Sequence, residues 1–386
     1  MSDTLAAPVT VVATGSTDDL DHPQPGIALC LSGGGYRAML FHLGALWRLA
    51  ELGYLSKLSR VSSVSGGSIT AALLGLKWSR LGFDAHGVPA RFEHEVVEPI
   101  RQLAGKTIDE GAIIGGIFTS GSIADKVTEA YRKHLFGSAS LQDLPADPPR
   151  FVINATNVQT GALFRFSRPF IADYRLGTIP NPSVELAVAV AASSAFPPVL
   201  SPMRIEFHAA AWRSSGLPHE DLHREPFLTD VVLTDGGVYD NLGLETAWKK
   251  YQTVLVSNGG GKMAEEAEPK GDWARHAIRI NDIIDNQVRS LRARQVVGSF
   301  NAGVRLGTYW GVRTNIADYG LANALPCPFD RTTALALTKT RLKRLDAEVQ
   351  ERLINWGYAV CDAAMRRNVE PAAAAPAAFP YKNRGV

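Results

Sequence analysis

Apolar positions along this chain follow two periods. Short runs of strand length recur at Ile27-Ala28-Leu29-Cys30-Leu31, Leu58 to Val64, Phe151 to Thr156, Phe227 to Leu233 and Thr253 to Ser257. Ala162 to Ser167 alternates apolar and polar residues like a half-buried strand. Helical spacing appears between these runs. Met39, Leu40, Leu43, Leu46, Trp47, Leu49 and Ala50 fall on one helix, with Gly53 placed to cap it. Ile69 to Trp78, Phe92 to Leu103 and Ile123 to Leu135 predict three more helices. Val184 to Ala192 predicts another, stopped by Pro197-Pro198. Two long helices follow. Ala277 to Val297 carries Arg289, Arg292 and Arg294, which predict a solvated basic face. Arg341 to Met365 has Leu342, Leu345, Val349, Leu353 and Ile354 in step. Strands alternating with helices predict an α/β fold with a mostly parallel central sheet. In such a sheet the strand C-terminal ends share one edge, so turns that follow strands can meet there.

The remaining stretches set boundaries. Residues 1–25 predict a flexible N-terminal arm, residues 26–366 a single catalytic domain, and the Ala/Pro-rich residues 367–386 a disordered tail. Residues 209–225 are polar and predict an exposed insertion. Gly111 to Phe118 is apolar and glycine-rich, a core turn or a cover over a site. No internal repeat is visible, and no apolar run reaches the length of a membrane span. With no secretory pattern at the N-terminus, a cytoplasmic protein is expected, touching membranes only peripherally.

Composition excludes several functions. In 386 residues, 46% hydrophobic, the net charge is +2, which implies no nucleic-acid partner. Three cysteines without close spacing, Cys30, Cys327 and Cys361, form neither a zinc site nor a disulfide framework, and Cys30 is expected to be a buried small hydrophobe. Gly259-Gly260-Gly261-Lys262 lacks the Ser or Thr of a phosphate-binding P-loop.

Three turns carry chemistry. Val64-Ser65-Gly66-Gly67 follows a strand and opens a helix, which is the setting of a nucleophile elbow, G-x-S-x-G. Ser63 stands where that pattern has its first glycine; Gly66 and Gly67 supply room. Gly33-Gly34-Gly35 sits between the first strand and the first helix, with amides free to bind an anion. It can be a tight turn, a dinucleotide fingerprint or an oxyanion hole. Ala38 in place of the last fingerprint glycine weakens the second, and the nearness of Ser65 favours the third. Asp235, followed by Gly236 and Gly237, ends a later strand and can reach into the same crevice; an ordinary D-G turn is the bland alternative. A serine needs a base, and none of the nine histidines sits in a glycine-flanked turn after a strand. His42 is expected to be a packed helix residue. These features predict a Ser65–Asp235 dyad, with burial raising the pKa of the aspartate toward neutrality.

Gly33-Gly34-Gly35-Tyr36-Arg37, Ser63-Val64-Ser65-Gly66-Gly67 and Asp235-Gly236-Gly237 occur in the order found in the patatin-like phospholipase family, which the chain resembles from about residue 27 to residue 360. The first stretch is also similar to the cytosolic phospholipase A2 group. Ala155-Thr156-Asn157, Ala192 to Pro197 and Leu353 to Tyr358 resemble further family segments. The resemblance implies a three-layer patatin-like fold and a lipid acyl hydrolase with no metal and no cofactor. Its substrate would be a phospholipid or other lipid ester, met at a membrane surface. It implies Ser65 as nucleophile, Asp235 as base and the amides of Gly33, Gly34 and Gly35 as the oxyanion hole. Arg37 would bind an anionic head group or brace the loop. A phospholipase A or lysophospholipase is the leading expectation. A general esterase, a neutral-lipid hydrolase and a silent lipid-binding regulator are the alternatives. Ser63 and Ala38 are the departures from the family pattern.

Overall fold

Two-residue alternation along the first strand sets the layers. The computed structural model describes residues 23–109 and 123–386. Residues 1–22 of the expected arm and the Gly111 to Phe118 stretch lie outside the described residues. In β1 (Gln24–Leu31), Leu29 and Leu31 enter a large core, while Ala28 and Cys30 enter a smaller one on the opposite face. The large core is built with α1 (Gly35–Glu51), α2 (Gly66–Lys77), α3 (Glu98–Ala104), α4 (Ile123–Tyr131) and α5 (Leu186–Ser193). On the other face the long α6 (Trp273–Asn301) contributes Val296 to the smaller core. The short α7 (Phe329–Ala336) and the long α8 (Ala347–Asn368) return the chain to the large core. Sheet and two helical faces make three layers. Helices α1 and α8 touch backbone to backbone. A Cβ on Gly44 would lie 1.9 Å from the Ile354 carbonyl oxygen, and one on Gly357 the same distance from that of Phe41.

The sheet also contains β2 (Leu58–Val64), β3 (Arg150–Asn157), β4 (Ala162–Phe166), β5 (Phe170–Asp173), β6 (Gly177–Pro180), β7 (Met203–Glu206), β8 (Asp230–Asp235), β9 (Tyr251–Asn258) and β10 (Leu306–Gly311). Its order is β10-β9-β1-β2-β3-β4-β5-β6. The first five strands of that order run parallel and form the central body; β4, β5 and β6 extend it as an antiparallel wing.

Register brings two distant turns together. β2 pairs in parallel with β3 from Arg60↔Arg150 to Val64↔Asn154, and then β2 ends. β3 continues for three residues. β4 occupies one flank of them, and β8 takes the other, antiparallel, at Ala155↔Asp235, Thr156↔Thr234 and Asn157↔Leu233. Strands β2 and β8 therefore meet end to end on one flank of β3. Val64 is level with Asn154 and Asp235 with Ala155, one strand step of about 3.3 Å apart. This corrects the route expected for Asp235. It arrives on an antiparallel strand descending onto the protruding end of β3, and not at the end of a parallel one.

Three further expectations change. The helix predicted from Arg341 begins at Ala347. Residues 338–345 instead form a strap, because their backbone is bonded elsewhere: the Leu342 N–H donates to Asp109, its carbonyl accepts from Ile108, and the Leu345 N–H donates to Ala104. The tail is packed, not loose. Asn355 donates its amide to the carbonyls of Tyr381 and Gly385 and accepts from the Tyr381 N–H, while Phe379 and Val386 are buried. Finally, α6 turns Arg289 and Arg292 inward, while Arg294 stays exposed as expected. Arg289 pairs with Asp285 at 3.0 Å and Arg292 with the buried Asp240 at 3.2 Å. The outward side shows Trp273, Ile284 and Leu291, with Trp273 85% exposed. A charged face can pack when its partners are carboxylates on the sheet side, and here Asp240 follows β8 directly.

Candidate active site

Ser65 is held in a backbone conformation that few residues adopt. Its φ of 51° and ψ of −119° place it between β2 and α2, at a cost of order 1–3 kcal/mol that the surroundings must offset. Its N–H donates to the Ser193 hydroxyl at 2.9 Å, and its carbonyl accepts from Ser68 at 2.8 Å and Ile69 at 3.2 Å. Ser193 in turn donates to the Asn154 carbonyl at 2.6 Å. The elbow is thus pinned to β3 through the C-terminal end of α5. Ser63, the departure from the glycine pattern, is buried. Its hydroxyl donates to the Val152 carbonyl and accepts from Ser68 at 3.0 Å, so the extra atoms are absorbed by hydrogen bonds. Gly66 has no such latitude: a Cβ there would lie 2.2 Å from the Gly35 carbonyl oxygen. That contact also shows how closely the glycine loop and the elbow approach each other.

Asp235 is buried, and its carboxyl is pushed up to about 7, chiefly by loss of water. The Gly237 N–H, donating to Oδ1 at 2.7 Å, and the nearby Ser65 hydroxyl act in the opposite direction; the neighbouring Asp285 raises it further. The backbone of Asp235 is fixed as well. Its N–H donates to the Ala195 carbonyl at 3.0 Å, its carbonyl accepts from Thr156 at 2.9 Å, and the Gly236 N–H donates to the Ser193 carbonyl. Ser65 and Asp235, 170 residues apart, therefore lie close together at one edge of the sheet.

The glycine loop closes the third side. Gly34 and Gly35 have φ of 142° and 61°, and their N–H groups have no acceptor among the described residues. Gly33 is different. Its N–H is taken by Asn241, by the carbonyl at 3.0 Å and by Oδ1 at 3.1 Å. This removes Gly33 from the expected oxyanion donors and leaves Gly34 and Gly35. Asn241 follows the Asp235 turn and reaches Asp285 on α6 as well, with Nδ2 at 3.5 Å from the carboxylate.

Arg37 follows the glycine loop. It is buried, donating to the carbonyls of Gly259, at 3.0 Å, and Thr338, and to the Thr340 hydroxyl at 2.9 Å. Burial, aided by Arg289, pushes its guanidinium down to about 9. Of the two roles expected for it, bracing is the one its contacts fit. The Gly259-Gly260-Gly261 turn, which has no phosphate-binding signature, wraps this guanidinium. It also explains Ala38: a Cβ on Gly259 would lie 2.6 Å from that of Ala38, so the room is left on the opposite backbone. His42 is fully buried, its ring nitrogens engaged by Ser257 at 2.8 Å and the Ser32 carbonyl at 2.9 Å, and burial pushes it down to about 4. It is a neutral brace between the ends of β1 and β9.

Reasoning from the sequence missed Ser193 and Asn241 as supports. Ser193 lay in a family-like segment, Ala192 to Pro197, and Asn241 in the turn after Asp235; neither position carried a chemical signal of its own. Among the described residues no helix is long and apolar enough to cross a membrane.

Comparison with known proteins adds the following. The sequence model of a family described as "Patatin-like phospholipase" matches residues 29–248, more than half of the chain. No curated protein sequence matches. Among solved structures, human GIVD cytosolic phospholipase A2 in complex with methyl gamma-linolenyl fluorophosphonate is similar at TM-score 0.47 and 12% identity, over 88% of this chain and 57% of that one. VipD from Legionella pneumophila is similar at TM-score 0.34 and 16% identity, over 88% of this chain and 66% of that one. The chain thus spans little more than half the length of the phospholipase A2 it matches.

Proposed function

The chain belongs to the patatin-like phospholipase family, and from that premise we propose that it is a serine carboxylic-ester hydrolase of lipids. It cleaves the acyl ester of a glycerophospholipid, as a phospholipase A or lysophospholipase, through an acyl-enzyme. The observation that carries this reading is the buried pair of Ser65 hydroxyl and Asp235 carboxyl, with the Gly34 and Gly35 amides free beside it.

Asp235 takes the proton from Ser65 as Oγ attacks the ester carbonyl carbon. The carbonyl oxygen gains the negative charge and turns to the amides of Gly34 and Gly35; a well-aimed donor is worth roughly 3–4 kcal/mol there. Collapse of the tetrahedral intermediate breaks the bond to the alcohol, which leaves with the proton held by Asp235. Water then gives its proton to the same carboxylate and attacks the acyl-serine, freeing the fatty acid and Ser65. A base titrating near 7 suits both proton transfers at neutral pH. The substrate is met at a lipid surface, by peripheral contact and without a membrane span.

The reading is tested with a fluorophosphonate probe and with mixed phospholipids followed by product mass spectrometry. Wild type should be labelled on Ser65 and should release fatty acid and lysolipid; Ser65→Ala should do neither. Asp235→Asn should lose turnover while staying folded. An unlabelled wild type would leave a lipid-binding protein without hydrolase activity.

A further inference from the structure

The strap over the glycine loop carries chemistry that the proposed reaction does not use. Residues 338–345 contain Lys339, Arg341, Lys343 and Arg344 and no acidic residue, and α7 just before them adds Arg331, with the exposed Asp330 beside it. Arg341 pairs with Asp109, and Arg344 lies 4.0 Å from Asp346. Arg331, Lys339 and Lys343 are exposed and have no acidic partner among the described residues. Between them Leu337 is 46% exposed, and Phe329, at the start of α7, is 51% exposed.

The location of this strap gives the charge its meaning. The Tyr36 N–H donates to the Arg341 carbonyl at 3.0 Å, and Arg37 donates to Thr338 and Thr340. A Cβ on Gly35 would lie 2.6 Å from that same Arg341 oxygen. Lys339 and Lys343 are therefore carried on the backbone that roofs the N-terminus of α1, at the sheet edge shared by Ser65 and Asp235.

We propose that this strap docks the protein on an anionic lipid bilayer and so holds the mouth of the site at the lipid surface. The choice of a lipid rests on the hydrolase reading above; the choice of an anionic one rests on the unpaired cations. Lysine and arginine beside exposed Phe and Leu match the two parts of such an interface, with charge at the head groups and apolar side chains at the acyl boundary. A second copy of the chain fits poorly, because two such straps repel each other.

The test is cosedimentation of the full-length chain carrying Ser65→Ala with vesicles of phosphatidylcholine alone or mixed with phosphatidylserine. Binding should favour the mixed vesicles and weaken with salt. Adding Lys339→Ala and Lys343→Ala should lower the partition onto mixed vesicles roughly 30-fold, each lysine near the surface being worth about fivefold. Lys57→Ala with Lys382→Ala removes the same charge from exposed positions toward the other end of α1 and should change it by less than about threefold. Equal losses in both pairs, no loss in the strap pair, or no preference for the anionic vesicles would each overturn the proposal. Melting curves confirm that all variants are folded. Because the Ser65→Ala background cannot turn over, failed docking leaves the hydrolase reading standing. Failed probe labelling of wild type would sink that reading while leaving the binding result intact.

Discussion

A carboxyl group cut off from water holds its proton more tightly, and at Asp235 that effect outweighs the Gly237 N–H and the nearby Ser65 hydroxyl that favour its charge. If the group is the base, kcat/KM should rise with pH through a midpoint near 7 and flatten above it. A midpoint at the ordinary carboxylate value would separate Asp235 from the reaction. Ser193 acts one step back, accepting the N–H of Ser65 and donating to Asn154. Ser193→Ala should lower kcat about tenfold with KM little changed, and should cost about 1–2 kcal/mol of stability, since two buried backbone groups lose their partner. A change confined to KM would place Ser193 with substrate instead. Arg37 contacts three acceptors, none of them substrate. Arg37→Ala should therefore cost about 3 kcal/mol of stability and leave the ratio of rates on anionic and zwitterionic head groups unaltered. Steady-state rates on the two lipids, with a denaturant melt, check both statements.

Among the elements, β3 is the rail on which the site is assembled. It carries β2 and β8 end to end, and the catalytic proposal depends on that register more than on any single contact. The elbow and the glycine loop were legible because each is a local event: a strand stops, small residues turn, and a helix starts. The orientation of β8 was not legible, because pairing direction is set by the partner strand and not by its own residues. The strap has the same history. Leu342 and Leu345 keep helical spacing, yet Asp109, Ile108 and Ala104 bind the backbone that a helix would have used. In the tail, alanine and proline suggested disorder, while three anchors, Phe379, Tyr381 and Val386, and one receiving asparagine decide the outcome. Asn355→Ala should release the tail. Residues 379–386 should then gain hydrogen exchange and protease cleavage, with a loss of about 1–3 kcal/mol; unchanged exchange would mean the apolar anchors suffice alone.

For the whole molecule, the proposed site is a cost to stability. The carboxyl of Asp235 is raised from 3.8 to about 7, so the folded chain binds that proton more tightly than the unfolded chain. Its favourable contribution is complete below the unfolded value and is lost as pH climbs through about 7. Asp235→Asn removes the penalty of burying the charge. The variant should melt higher than wild type near about pH 8, by several degrees, and the gap should close on approaching about pH 4. Paired thermal melts across that range decide it, and a gap independent of pH would show that the carboxyl is hydrated after all. Higher stability with lost turnover is the signature expected of a group kept for chemistry.

What the residues alone determined is what depends on near neighbours: strand and helix periods, the glycine-lined turns, a serine at an elbow, an aspartate before two glycines, and the alternation that makes an α/β fold. Tertiary structure decided what depends on partners distant in the chain. It set the direction in which Asp235 reaches the edge, the loss of the Gly33 amide to Asn241, the inward turn of Arg37, Arg289 and Arg292, and the docking of the tail. The reason is physical: a period or a turn is fixed by bonds within a few residues, whereas the direction of a side chain and the pairing of a strand follow whichever distant group satisfies them once water is gone.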